Sequence, residues 1–149
     1  QWNVENVNKV NIEGAEIHLQ FRKQIAEWLL EYRGQLGYTI SENAQTHNQL
    51  IYVPELKHIH RVELGYTNWT IYAHALSVSE QYIRSDNNPL YVLDAYTTYD
   101  AGLRYAHRGN YPFTAGVQLR NLTDELYYAM ERRPYPGRHI NFQLQIELQ

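Results

Sequence analysis

The sequence has no cysteine, which excludes a disulfide framework and any thiolate metal site. It has no apolar run approaching the roughly 18 residues of a membrane helix; the bare stretches are a few residues long, such as Trp28-Leu29-Leu30. That excludes spanning helices only, because a β-barrel also pairs every backbone group internally. An excess of one charge is missing as well. Thirteen Lys and Arg against sixteen Asp and Glu leave a formal charge of −3, so no basic field exists for nucleic acid. No G-x-S-x-G or comparable nucleophile signature occurs. The chain opens on Gln1-Trp2 with no charged, apolar leader, and the expectation is an internal start.

Phenylalanine and methionine are scarce, at three and one, against fourteen tyrosines and three tryptophans. Hydrophobic residues make up 44%, yet mean hydropathy is negative. Apolar and polar side chains are therefore finely interleaved, as in a sheet with one greasy and one wet face. The last segment has this pattern throughout. Ile140, Phe142, Leu144, Ile146 and Leu148 alternate with His139, Asn141, Gln143, Gln145, Glu147 and Gln149. A helix would spread these apolar residues around its circumference, whereas a strand puts them on one face.

Similar alternation runs through Phe113–Leu119, Tyr99–Tyr105, His60–Tyr66 and Leu30–Ile40, and less decisively through Trp69–Ser79. Between Val10 and Phe21 the phase slips, which predicts a bulge at Glu13-Gly14. These segments are long for soluble strands and suit tilted membrane strands of about 9–11 residues. Tyr38, Tyr66, Tyr105 and Tyr111 sit near their ends, where an aromatic girdle belongs. Short connections are expected at Arg22-Lys23-Gln24, Thr67-Asn68 and Arg108-Gly109-Asn110, and long ones over 41–57, 81–90 and 121–138. Short turns alternating with long loops are the pattern of outer-membrane barrels. The count comes to about seven strands. Closed single-chain bacterial barrels have an even number, so the expected fold class is all-β, an antiparallel transmembrane barrel fragment.

Several motifs carry a family resemblance. Asn121-Leu122-Thr123-Asp124 with Tyr127-Tyr128 resembles the "N-L-F-D-x-x-Y" of TonB-dependent outer-membrane transporters, and Pro136-Gly137-Arg138 resembles the "P-G-R" that opens their last strand. Asn8-Lys9-Val10 with Ile12-Glu13-Gly14-Ala15-Glu16 is similar to "G-K-x-x-I-x-G-x-E", and Val53-Pro54 with Lys57-His58 to "P-x-H-K". The chain departs from the family at Leu148, where an aromatic is usual. The resemblance implies a barrel of about twenty-two strands with a plugged lumen, of which residues 1–149 supply the C-terminal part without the plug domain. It further implies TonB-dependent uptake of a scarce nutrient such as a ferric siderophore, with cobalamin, haem and oligosaccharide as alternatives. The implied partners are the rest of the barrel and its plug, TonB, outer-membrane lipid and lipopolysaccharide, and a small nutrient.

Candidate site residues follow from chemistry. Tyr127, Tyr128, Arg132, Arg133 and Tyr135 share one loop, and aromatics with arginines suit an anionic, ring-bearing ligand. They also suit an upper girdle and lipopolysaccharide phosphates. Tyr82, Arg84 and Asp86 carry the same expectation more weakly. His58 and His60 share a strand face and could ligate together, but no third ligand follows at a recognisable spacing; a lumen or girdle role is their ordinary reading. Asp94, Asp100 and Glu147 lie near histidines without a catalytic motif, and Asn121-Leu122-Thr123 matches a glycosylation pattern by coincidence. Gly137 reads as a tight approach to the last strand. No enzymatic role, cofactor or metal is expected. The alternatives are a soluble β-sandwich carbohydrate-binding module, in which a second sheet covers positions 140–148, and a small closed barrel enzyme or porin, which needs an eighth strand.

Overall fold

A computed structural model describes residues 9–146. Its strands are β1 (Val10–Ile25), β2 (Trp28–Asn43), β3 (Leu56–Tyr66), β4 (Trp69–Val78), β5 (Gln81–Tyr82), β6 (Val92–Leu93), β7 (Tyr96–His107), β8 (Phe113–Arg120), β9 (Tyr128–Met130), β10 (Arg133–Pro134) and β11 (His139–Ile146). The seven long strands form one antiparallel sheet in the order β1-β2-β3-β4-β7-β8-β11. The two short pairs, β5/β6 and β9/β10, are hairpins inside loops and were not foreseen.

Pairing in the large sheet runs without a register shift, so the faces can be followed from strand to strand. Leu30 lies opposite Leu64, Leu64 opposite Ile71, Ile71 opposite Leu103, Leu103 opposite Val117, and Val117 opposite Phe142. The next row on the other face reads Arg22, Glu31, Glu63, Tyr72 and Gly102. One face is therefore apolar and the other charged, as the alternation requires. Among the described residues no second layer covers the apolar face: Phe142 is 82% exposed and Leu144 66%. A sandwich would bury these positions, so that alternative fails. The buried apolar residues, Val78 and Leu93, lie at the loop end rather than in a core.

Aromatic rings band the opposite end. Trp28 packs on Tyr66 at 4.5 Å between centroids, Trp69 on Tyr105 at 4.7 Å, and Tyr105 lies 6.0 Å from Phe113. Tyr66 and Tyr105 thus take girdle positions, whereas Tyr38 stands across from Leu56 at the loop end and Tyr111 projects from a turn. The turns 67–68 and 108–112 fall as expected and, with a third, alternate with loops 44–55, 79–95 and 121–138.

Two expectations are corrected. No bulge interrupts β1, whose register is continuous from Val10 opposite Asn43 to Ile25 opposite Trp28. Val10 and Ile12 simply lie on the charged face, beyond the stretch where Ala15, Ile17, Leu19 and Phe21 form the apolar one. Gly14 answers a close approach instead: a Cβ there would stand 2.8 Å from the carbonyl oxygen of Tyr38. Nor do Arg22-Lys23-Gln24 form a turn. They continue β1, Arg22 pairing with Glu31 at 3.2 Å, and the chain reverses at 26–27 with Ala26 at φ 52°. Asn8, Glu147, Leu148 and Gln149, named in the motif and strand readings, lie outside the described residues.

Val117 and Gln118 are chain neighbours on opposite faces. Val117→Arg is expected to lower folding stability in a bilayer by about 2–4 kcal/mol and Gln118→Arg to change it little. Denaturant titration of the intact barrel in lipid vesicles measures both, and equal losses would overturn the assignment of faces.

Candidate functional site: the charged face and the loop rim

On the charged face, carboxylates recur between arginines. Glu31 accepts Arg22 at 3.2 Å and Arg33 at 3.3 Å; Glu63 accepts Arg61 at 2.6 Å and Arg104 at 3.7 Å. Glu31 and Glu63 stand directly opposite each other, as do Arg33 and Arg61. Like charges so placed repel. Four guanidiniums around two largely covered carboxylates offset the acidic pair and leave the wall with excess positive charge. Arg61 also lies over the Tyr72 ring at 4.2 Å, a cation–π contact. Asp100 stands 3.7 Å from His74 and accepts the backbone N–H of Asn121 at 2.9 Å. These groups form a structural network and present no nucleophile–base pair.

Three loops rise from one end of the sheet. Loops 44–55 and 79–95 are laced together: the Asn48 amide donates to the Ser85 carbonyl at 2.7 Å, Asn87 to the Gln49 carbonyl at 3.0 Å, and the Tyr52 N–H to the Tyr82 carbonyl at 2.9 Å. Arg84 stacks on Tyr91 at 3.3 Å, and Asp86 accepts the N–H of Asn88 at 3.1 Å. Tyr82, Arg84 and Asp86 are thus engaged within this loop pair and do not converge as a group.

Loop 121–138 is locked at its base by the motif residues. Asn121, 2% exposed and at φ 51°, donates through its side chain to the Glu125 carbonyl and accepts the Glu125 N–H, both at 2.8 Å. The Leu122 N–H donates to the Tyr99 carbonyl at 2.8 Å. Asp124 reaches across to accept the N–H of Arg138 at 2.7 Å. A Cβ at Gly137, which follows Pro136, would stand 2.7 Å from the same carboxylate oxygen. Glycine is needed there for close approach. Asn121, Asp124, Gly137 and Arg138 therefore form one latch, although two separate motifs supply them.

Above the latch, Tyr127 stacks on Tyr135 at 4.8 Å and on Tyr96 at 4.5 Å. Tyr128 and Arg133 belong to the β9/β10 hairpin, and Arg132 occupies its exposed tip beside Glu131 at 3.8 Å. The structure thus joins Tyr127 and Tyr135 and leaves the arginines outside the stack. Tyr96 was missed. Extending the alternation of Thr98 and Asp100 back by two residues would have placed it on the charged face beneath the loop. Burial, the phenols of Tyr135 and the carboxylate of Asp100 together raise the Tyr127 phenol above its ordinary 10.0, against the opposing effect of Arg120. His58 and His60 lie on the apolar face rather than the charged one, with their rings hydrogen-bonded at 3.2 Å.

The family model described as "TonB dependent receptor-like, beta-barrel" matches residues 1–122 of the 149, so Pro136-Gly137-Arg138 lies beyond the matched part. BauA, the ferric preacinetobactin receptor of Acinetobacter baumannii, is 16% identical with a TM-score of 0.63 over 92% of this chain and 26% of its own. The copper transporter OprC is 19% identical with a TM-score of 0.68, over 88% of this chain and 23% of its own. The siderophore receptor PiuA of Acinetobacter baumannii is 19% identical with a TM-score of 0.62, over 89% and 20%. The chain spans about a quarter of the length of these structures. No curated protein matches it.

Asn121→Ala removes both side-chain hydrogen bonds of a buried residue and is expected to destabilise loop 121–138 by about 1–3 kcal/mol, read as faster cleavage of that loop by protease with the sheet intact. The Tyr127 phenol, raised in the folded state, keeps its proton at pH values where an unfolded tyrosine ionises. Its stabilising effect is full below 10.0 and is lost as pH climbs above that value. Alkaline titration of tyrosinate absorbance should show one late-ionising phenol that Tyr127→Phe abolishes.

Proposed function

This chain belongs to the TonB-dependent receptor β-barrel family, and on that premise we propose that it forms the C-terminal wall and three extracellular loops of an outer-membrane transporter. The rest of the barrel supplies the neighbours of β1 and β11, a plug domain fills the lumen, and TonB energises import. The cargo class we favour is a ferric siderophore, with cobalamin, haem or oligosaccharide as the other nutrients of comparable chemistry. The wall and loops bind and guide. They perform no bond-making step, and the location is the outer membrane of a Gram-negative bacterium.

The observation that carries the reading is the placement of all three loops at one end of a two-faced sheet. At that end Tyr96, Tyr127 and Tyr135 form a ring platform over the charged face. Platforms of this kind hold flat, conjugated ligands, and the arginines of the β9/β10 hairpin can close over an anionic one. That two of the structural neighbours are siderophore receptors by name supports the choice, and the copper transporter keeps metal cargo of another kind within it.

The test is uptake of ferric siderophores by cells producing the intact protein, with and without TonB. Uptake is expected to require TonB. Tyr127→Ala combined with Tyr135→Ala is expected to raise the half-saturating concentration roughly tenfold or more. Uptake that persists at full rate without TonB would remove the transport reading, and an unchanged half-saturating concentration would remove the ring platform from it.

A further inference from the structure

The apolar face is interrupted. Towards the loops, β3, β4 and β7 carry His60, His58, Ser77, Thr97 and Tyr99 on the side that lower down presents Leu64, Ile71 and Leu103. His58 lies opposite Ser77 and Ser77 opposite Thr97, while Ala75 separates His60 from Tyr99 in the row below. On β2 the same level keeps Leu36 opposite His58 and Tyr38 opposite Leu56. The polar block is therefore local to three strands rather than a level of the whole sheet.

Unpartnered polar groups against hydrocarbon are costly, and this block satisfies itself only in part. Tyr32 Oη and His60 Nδ1 are 2.8 Å apart, His60 Nε2 and His58 Nδ1 3.2 Å, and the Ser77 and Thr97 hydroxyls 2.7 Å. A neutral imidazole carries one N–H, so the Tyr32–His60–His58 bonds must run in a single sense. His58 Nε2 is the free end of that relay, a donor if Tyr32 donates and an acceptor if His60 does.

A cleft of about 650 Å³ opens at this end, lined by His58, Ser77, Thr97, Tyr99 and, from the loop after β8, Thr123 and Glu125. Its lining includes no Lys or Arg, the residues that recognise phosphate. Hydroxyls, an imidazole, a carboxylate and a tyrosine ring instead match a polyhydroxylated sugar, which both donates and accepts and can lie against an aromatic face. The cleft is continuous with the apolar rows below it, where acyl chains would lie. We propose that it holds the sugar head group of an outer-leaflet glycolipid. The inference rests on the outer-membrane reading above.

The experiment uses the intact protein in detergent, incubated with lipopolysaccharide or phosphatidylglycerol and washed, with retained lipid quantified by mass spectrometry. Wild type is expected to retain lipopolysaccharide in preference to phosphatidylglycerol. His58→Leu with Thr97→Val is expected to reduce that retention about tenfold, as for the loss of two hydrogen bonds. Apolar replacements suit a lipid-facing position, and Ser77→Ala alone gives a milder second variant that should weaken retention in the same direction. Equal retention by wild type and both variants, or no preference between the lipids, overturns the site while leaving the transport reading intact. Failure of the wild-type protein to enter detergent as a folded barrel overturns the membrane reading and this inference together.

Discussion

Backbone pairing is the constraint on which the rest of this structure depends. In hydrocarbon no water can take an unmet N–H or C=O, and each such group costs several kcal/mol. Within the seven-stranded sheet β2, β3, β4, β7 and β8 are paired on both sides, but β1 and β11 each have only one neighbour among the described strands. The sheet is not closed. Sixteen residues of β1, all exposed, present a continuous row of backbone groups that require another strand. Closure by further strands solves this without altering any side chain, because the register is already regular up to both edges. It also explains why no core exists here: the sheet's apolar face is meant for a solvent that is itself apolar.

The same regularity sets the charge problem on the other face. Unbroken registers force Glu31 beside Glu63 and Arg33 beside Arg61, since side chains cannot change face without a slip. The wall resolves the repulsion along the strands, each glutamate taking an arginine two residues away on its own strand, and across them through Arg22 and Arg104. Individually such pairs contribute little in water. Their effect here is to hold long side chains flat against the wall, so that the lumen face is ordered before anything binds to it.

Much of this was legible in the sequence, for a physical reason. Period-two alternation is a local property, so the strands, their faces and the alternation of short and long connections could be read from residues such as Ile140, Phe142 and Leu144 against Asn141 and Gln143. What misled was composition at strand ends. Arg22-Lys23-Gln24 looks like a turn because it is polar, but Arg22 faces the charged wall, where polarity is expected. The slip at Glu13-Gly14 looked like a bulge because apolar residues changed phase, yet Val10 and Ile12 lie outside the stretch in which the alternation must hold. The site was less legible. Tyr127 and Tyr135 were visible as a loop cluster, but Tyr96 joins them from a strand thirty-one residues earlier, and only the fold brings it there.

The latch at the base of loop 121–138 relates the rim to the wall. Asn121 is bonded to Asp100, which also stands beside His74 on the charged face. Asp124 ties the outgoing chain to Arg138, where the last strand begins. The loop therefore leaves and rejoins the sheet at fixed points, and its two stacked tyrosines rest on a third that belongs to β7. A ring platform built in this way keeps its geometry while the hairpin tip, with Arg132 and Arg133, varies in sequence or position. Ligand selection by such a rim requires a rigid part for placement and a variable part for discrimination. The division falls at Tyr127, the residue that is at once the end of the latch and the start of the hairpin.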